Sequence, residues 1–233
     1  MLSFFFICCR QVQSTPYETS TLKSPKHKLL KSKPNYTYSI ENHLKNYQKL
    51  LNDIKKDKRY YYRQNDLDRV RKVIYTLLND SIFPYWYGTS WGYNGISEKP
   101  LEGSIACGYF VTTTLRDVGF PVQRISWAQE PSSVLIKKTC SPSSIKMFSN
   151  FSDLKNYLNK QSDQNLFILG LDSHVGFITK ENNLLFFTHS SYTGEKMVKK
   201  ELIEKSIPII SSKSFFIGNV LDNKPLLKRW LNS

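Results

Sequence analysis

The most constraining stretch of this chain is 166–188, where three short apolar segments, 166–171, 174–179 and 184–188, follow one another with two and four residues between them. Such runs bounded by polar residues read as strands, and Glu181-Asn-Asn183 reads as a tight hairpin turn between the second and third. Further strands are expected at 122–127, 197–200 and 215–220. Upstream the period changes. Ile40, Leu44, Tyr47, Leu50, Leu51 and Ile54 recur at steps of three and four, as do Leu67, Val70, Val73, Ile74, Leu77 and Leu78. Two helices are therefore predicted, the second capped by Asn65 or Asp66. A loop rich in Gly, Pro, Tyr and Trp spans 83–103, and a helix from about Ser104 to Val118 follows, with Ser104 as its cap and Gly119 as its stop. A short helix is expected near 153–159. Helices first and an antiparallel sheet after define an α+β chain.

Composition narrows the function classes. The 233 residues, 40% of them apolar, suffice for a sizeable core, which rules out wholesale disorder. The longest apolar run, Phe4 to Cys9, stops at six residues, far short of the roughly 18 to 20 needed to span a bilayer. The net charge of +14 favours anionic partners, but it is unevenly placed. Residues 1–60 hold 12 basic and 4 acidic residues, leaving 21 and 15 for the other 173. The globular part is only mildly basic, so no nucleic-acid partner is expected. Cys8, Cys9, Cys107 and Cys140 are too few for a disulfide framework and none has zinc-ligand spacing, so neither a metal nor a cofactor is expected.

The first nine residues read as the remnant of an apolar secretion segment, lacking its positively charged beginning, with Cys9 as a lipid-bearing residue. Residues 10–35 are Ser-, Thr-, Pro-, Lys- and Gln-rich and are read as a flexible basic tether. Residues 36–233 are read as a single domain with a helical extension over 36–82. A lipidated Cys9 would hold that domain at a membrane, the tether's lysines adding attraction to acidic lipids.

Cys107 lies in Gly103-Ser-Ile-Ala-Cys-Gly-Tyr-Phe-Val111, at the start of a predicted helix, where the unpaired N–H groups favour thiolate. A thiol nucleophile needs an oriented imidazole. His174 sits on a predicted strand, and His189, fifteen residues on across the hairpin, can reach the same face if register allows. Asp172, two residues from His174, is the alternative orienting group. Gly88-Thr-Ser-Trp-Gly92 fits the pattern of a serine-hydrolase nucleophile, but loop follows it where a helix is required. His27 and His43 carry no expected role, and Cys140 reads as inert.

These residues resemble the NlpC-type cell-wall peptidases, a papain-like family, over about 84–202. Pro84-Tyr-Trp-Tyr-Gly-Thr-Ser90 is similar to the family's aromatic and glycine loop, Ala106-Cys-Gly-Tyr-Phe-Val111 to its nucleophile helix, and Leu115-Arg-Asp-Val-Gly-Phe120 to that helix's end. His174-Val-Gly-Phe-Ile178 resembles the base strand, and Phe187-Thr-His-Ser-Ser191 the strand bearing the third polar residue. The resemblance implies a papain-like fold with the nucleophile helix packed on the sheet, Cys107 as nucleophile, His174 as general base, His189 as its orienting partner and Tyr85 lining the site. Trp127 and Gln129 are further candidates for substrate contact.

The implied reaction is hydrolysis of an amide bond in peptidoglycan stem peptides through a thioester, by a monomeric, exported protein that is periplasmic or held at the outer membrane as a lipoprotein. Where the family usually carries Asp before and Ser after its nucleophile, this chain has Ala106 and Gly108. That departure bears on substrate recognition rather than on catalysis; the alternative readings are a catalytically silent binding or scaffold lipoprotein, and a related thiol acyltransferase or deamidase.

Overall fold

Asn182 and Asn183 both adopt left-handed backbone conformations, with φ of 51° and 62°. This is the geometry a two-residue hairpin needs to match the twist of its strands. The turn fixes Glu181 opposite Leu184 and Phe177 opposite Thr188, and the rest of the sheet is built outward from that pair.

The structure is a computed structural model that describes residues 36–64 and 66–232, which belong to one compact unit spanning Asn35–Ser233. Helices α1 (Tyr36–Gln64), α2 (Leu67–Thr76) and α3 (Phe83–Trp86) come first, α2 running into α3 through a π-helical turn. A small parallel pair, β1 (Ser90–Trp91) and β2 (Ser104–Ile105), precedes α4 (Cys107–Asp117), α5 (Arg124–Ala128) and α6 (Ser132–Thr139). There follow β3 (Lys146–Phe148), α7 (Phe151–Asn159), β4 (Leu166–Gly170), β5 (Val175–Glu181), β6 (Leu184–Ser190), β7 (Val198–Leu202), α8 (Ile207–Ile210), β8 (Phe215–Asn219) and α9 (Lys224–Asn232). The large sheet has the order β3-β8-β4-β5-β6-β7 with every neighbouring pair antiparallel, an α+β architecture.

Helices cover both faces, which explains why β4 is buried at all five positions rather than alternating. Ile168, Val175 and Phe177 join Phe83, Phe110 and Val111 in the core beneath α4. Phe167, Leu169, Ile178 and Phe187 join Leu154 and Leu158 of α7 on the other side. The centre of α4 is enclosed all round, including Thr112, Thr113 and Thr114. Such hydroxyls are tolerable in a buried helix because each finds a partner: Thr112 and Thr114 donate to Gly108 and Phe110 carbonyls, and Thr113 accepts from Arg124 Nε at 2.8 Å. Gly119 ends the helix at φ +103°.

Asp66 caps α2, accepting from the backbone N–H of Asp68 and Arg69, while Asn65 lies outside the described residues. The strand expected at 122–127 does not form: Arg124–Ala128 is a helix, and 122–123 lead into it without regular structure. Arg124 settles the matter: it is 8% exposed, and its guanidinium is anchored to Thr113, to the Ile96 carbonyl at 2.7 Å and to the Ser97 carbonyl at 2.9 Å. The predicted helix at Ser104 begins three residues later, because Ser104 and Ile105 pair with β1 as a strand. Ala106, which has no capping side chain, holds the cap position.

Gly176 of β5 is where packing makes room for the site. A Cβ there would come within 2.6 Å of the Phe187 ring and 2.7 Å of His189 Cβ. Gly176→Ala is expected to destabilise the fold by about 1–3 kcal/mol and to displace His189. A urea denaturation series, read against the alkylation rate of Cys107, checks both effects.

Candidate active site

Cys107 is the first residue of α4, where backbone N–H groups lack intrahelical partners. Its sulfur is reached by the N–H groups of Cys107 itself, Gly108 and Val175, the last lying next to His174 in sequence. Although partly accessible at the floor of a cleft, the sulfur is densely surrounded by protein. Burial therefore pushes the thiol above its ordinary range, and the three N–H groups pull it only partway back. The magnitudes agree with that outcome. A helix terminus is worth about 0.3–1 kcal/mol, under one pKa unit, whereas burial shifts a thiol by up to several. The N–H groups at the helix start thus favour the thiolate, but burial outweighs them.

His174 lies just before β5, its carbonyl accepting from Leu171 N–H at 2.8 Å. It is 4% exposed, and His189 on β6 is fully buried. The hairpin register brings the two rings together: His174 Nε2 and His189 Nδ1 are 2.7 Å apart, and His189 Nε2 is 3.0 Å from Glu201 Oε1 on β7. Phe187 stacks on His189 at 4.2 Å between ring centroids and holds its plane. Glu201 also pairs with Lys199 at 2.7 Å. Burial would raise this carboxyl, but the hydrogen bonds from His189 and Lys199 outweigh it and hold the group at about 2.

The chemistry of each atom then fixes every proton in the chain. An ionised carboxylate only accepts, so His189 Nε2 carries a hydrogen and its Nδ1 is the acceptor. His174 must then donate from Nε2, which leaves its Nδ1 with a lone pair. That Nδ1 is buried and has no hydrogen-bond partner among the described residues. Both rings are held neutral: burial lowers His174 well below the ordinary imidazole range, with His189 adding to the effect, and burial lowers His189 despite Glu201.

Cys107 and His174 are not hydrogen-bonded to each other at rest; both line each of two clefts that meet at the sulfur. One, about 470 Å³, runs past Glu130, Ser132 and Asp172. The other, about 670 Å³, runs past Trp91, Tyr109, Gln129 and Tyr192. Gly108 lies at the junction, and its lack of a side chain has a local cause: a Cβ would sit 2.3 Å from the Ala128 carbonyl oxygen. The family's Ser could not occupy this position without moving α5.

The other sequence candidates are spread more widely. Gln129 lines the larger cleft and donates to Tyr109 Oη at 3.1 Å. Trp127 does not line either cleft; it packs against the core with the Lys138 ammonium 5.6 Å from its ring. Tyr85 is also absent from both clefts. Its ring packs against His43 and Tyr47 of α1, and its carbonyl accepts from His43 Nε2 at 2.8 Å. Asp172 precedes β5 instead of sharing a strand face with His174, and its carboxylate accepts from the Lys213 and Ser214 N–H groups, pinning that loop instead of the imidazole. Ser90 sits in β1, paired with Ser104, with no helix after it. Cys140 is 2% exposed and burial raises its thiol to about 12. Cys9, Cys8 and His27 lie outside the described residues. Among the described residues no group of His, Cys, Asp or Glu is placed to hold a metal, and no helix is long and apolar enough to cross a membrane.

Glu201 was missed in the sequence reading. Its signal was faint: one acidic residue in Lys199-Lys-Glu201, whose proximity to His189 depends on the register of β6 with β7. Searches against family models, curated proteins and solved structures found no match to this chain.

Two measurements follow from this geometry. With the thiol raised and His174 lowered, both groups are neutral between their two titrations, so alkylation of Cys107 by iodoacetamide should climb with pH, with its midpoint above that of free cysteine and no acid-side plateau. A plateau at low pH would instead show a resting thiolate–imidazolium pair. Cys140 should react far more slowly throughout. Glu201 raises the His174 titration, so Glu201→Gln should move the acid limb of any pH–rate profile to lower pH. It should also reduce kcat about 10- to 100-fold with little change in KM.

Proposed function

We propose that this chain is a papain-like cysteine hydrolase of the NlpC type, cleaving amide bonds in peptidoglycan stem peptides through a thioester on Cys107. One observation carries the proposal. A thiol at a helix start shares both its clefts with a histidine whose free nitrogen is left as a base by the chain His174–His189–Glu201. A nucleophile helix packed on an antiparallel sheet that supplies the histidine agrees with a papain-like arrangement. The reading also makes the protein an exported lipoprotein anchored through Cys9.

The reaction divides into two acyl transfers. As Cys107 Sγ attacks the amide carbon, His174 Nδ1 takes the thiol proton, so a nucleophile that is neutral at rest becomes thiolate only as the new bond forms. The Cys107 N–H stabilises the developing oxyanion. The imidazolium formed on His174 donates to His189, and the Glu201 carboxylate at the far end of the chain offsets its charge. His174 then returns the proton to the departing amine, leaving the thioester. Water, deprotonated by the same nitrogen, attacks the thioester carbon; the acid departs and the thiol is restored.

Purified muropeptides incubated with wild type, Cys107→Ala and His174→Ala test the proposal by mass analysis. Intact stem peptides should disappear only with wild type, each variant losing at least about 10³-fold in rate. Equal digestion by Cys107→Ala would refute the role of the thiol. Intact muropeptides together with equal alkylation of Cys107 and Cys140 would show a silent scaffold.

A further inference from the structure

The surface around Cys107 does not share the charge of the rest of the protein. The chain carries 33 Lys and Arg against 19 Asp and Glu, yet among the described residues neither cleft is lined by a single lysine or arginine. The smaller cleft is lined by two carboxylates, Glu130 and Asp172, together with Ser132, Ser133 and Ser214. Asp172 is held below the ordinary carboxylate range by the Ser214 hydroxyl and the Lys213 and Ser214 N–H groups, and stays ionised. Lys138 pairs with Glu130 at 3.3 Å, but both side chains are over a third exposed, and neither Lys138 nor Lys213 lines the cleft. The larger cleft is lined by no charged side chain: Trp91, Tyr93, Tyr109 and Tyr192 form aromatic walls, and Asn94 and Gln129 offer amides. Tyr93 and Ile96 are 84% and 59% exposed at its rim. Where the two arms meet, His174 is 4% exposed and its Nδ1 has no partner among the described residues.

We infer that the two clefts form one polarised trough across Cys107. The arm lined by Glu130 and Asp172 takes a substrate flank bearing an ammonium group, and the aromatic arm takes an uncharged, bulky flank. The inference deepens the amide-hydrolase reading and rests on it for the substrate's reacting bond. A free carboxylate beside the cut bond would meet the Glu130 and Asp172 carboxylates in one arm; in the other, Arg124 and Lys196 lie against the Tyr109 and Trp91 rings, 4.9 and 5.9 Å from their centroids, and do not line the cleft. Clefts of one sign with low-dielectric walls concentrate ligands of opposite charge and exclude like charge. The preferred amides therefore carry a free amine on one flank, and any nearby carboxyl is masked as an amide.

Charged alkylating reagents read the trough without turnover. At low ionic strength the ratio of iodoacetate to iodoacetamide rates at Cys107 should fall about fivefold below that of free cysteine, and the deficit should shrink with added salt. Glu130→Gln and Ser133→Lys should each raise the ratio about threefold. A preference for iodoacetate, or a ratio that neither variant moves, overturns the inference. On substrates, wild type should favour amides flanked by lysine and an amidated carboxyl over the free carboxyl forms, and Glu130→Gln should narrow that preference. Cleavage that favours the free carboxyl forms also overturns it. If no amide is cleaved while the reagent ratios hold, the hydrolase reading fails and the polarised trough stands.

Discussion

The site depends on one asymmetric fact: a carboxylate can only accept hydrogen bonds. Glu201, ionised at about 2, forces His189 to donate from Nε2, and that in turn forces His174 to donate from its own Nε2. The lone pair on His174 Nδ1 is therefore set by a residue on β7, two strands across the sheet from β5. If either link broke, both imidazoles could change tautomer, and His174 Nδ1 could carry a hydrogen instead of a lone pair. Burial makes this arrangement stricter, because in a low-dielectric setting each unmet donor or acceptor is costly.

The same chain ties chemistry to fold. His189 and Glu201 stand on the antiparallel strands β6 and β7, and His174 immediately precedes β5, so their distances follow largely from strand register. Register in turn rests on the Asn182–Asn183 turn and on the closeness of Phe187 and His189 to Gly176. A slip of one residue in β6 would move His189 to the opposite face and put a threonine or serine in its place. On the far side of the sulfur, Gly108 lets the Ala128 carbonyl come close, so α5 forms the wall shared by both clefts.

What was legible in the sequence was what local pattern controls. The hairpin is marked by its asparagines, α2 by its cap and its period, and α4 by the Gly119 stop. The pairing of His174 with His189 could be anticipated because a hairpin makes their separation a matter of counting. What was not legible depended on distant contacts. The segment around Arg124 has the aromatic and β-branched residues of a strand, but it becomes helical because Arg124 is drawn to Thr113 and to the carbonyls at 96 and 97. Tyr85 sits in a motif-like loop, yet α1 claims its ring. Asp172 has the right spacing to His174 but is committed to a loop forty residues on. C-terminal α9, whose Leu226, Leu227, Trp230 and Leu231 are buried, was passed over although its apolar residues recur at helical spacing.

The sign of the local field follows from the same burial that sets the protonation states. A thiolate–imidazolium pair would place a cation beside the scissile bond before the substrate arrives, and would favour anionic ligands. With the thiol pushed up and His174 pushed down, the resting pair is neutral, so Glu130 and Asp172 are left as the charges that line the clefts. In the proposed hydrolysis, positive charge would appear on His174 only after proton transfer, as the oxyanion forms and the Glu201 end of the chain offsets it. On that proposal the site would be neutral or negative toward the substrate and positive toward the transition state, which is where a difference in binding accelerates a reaction.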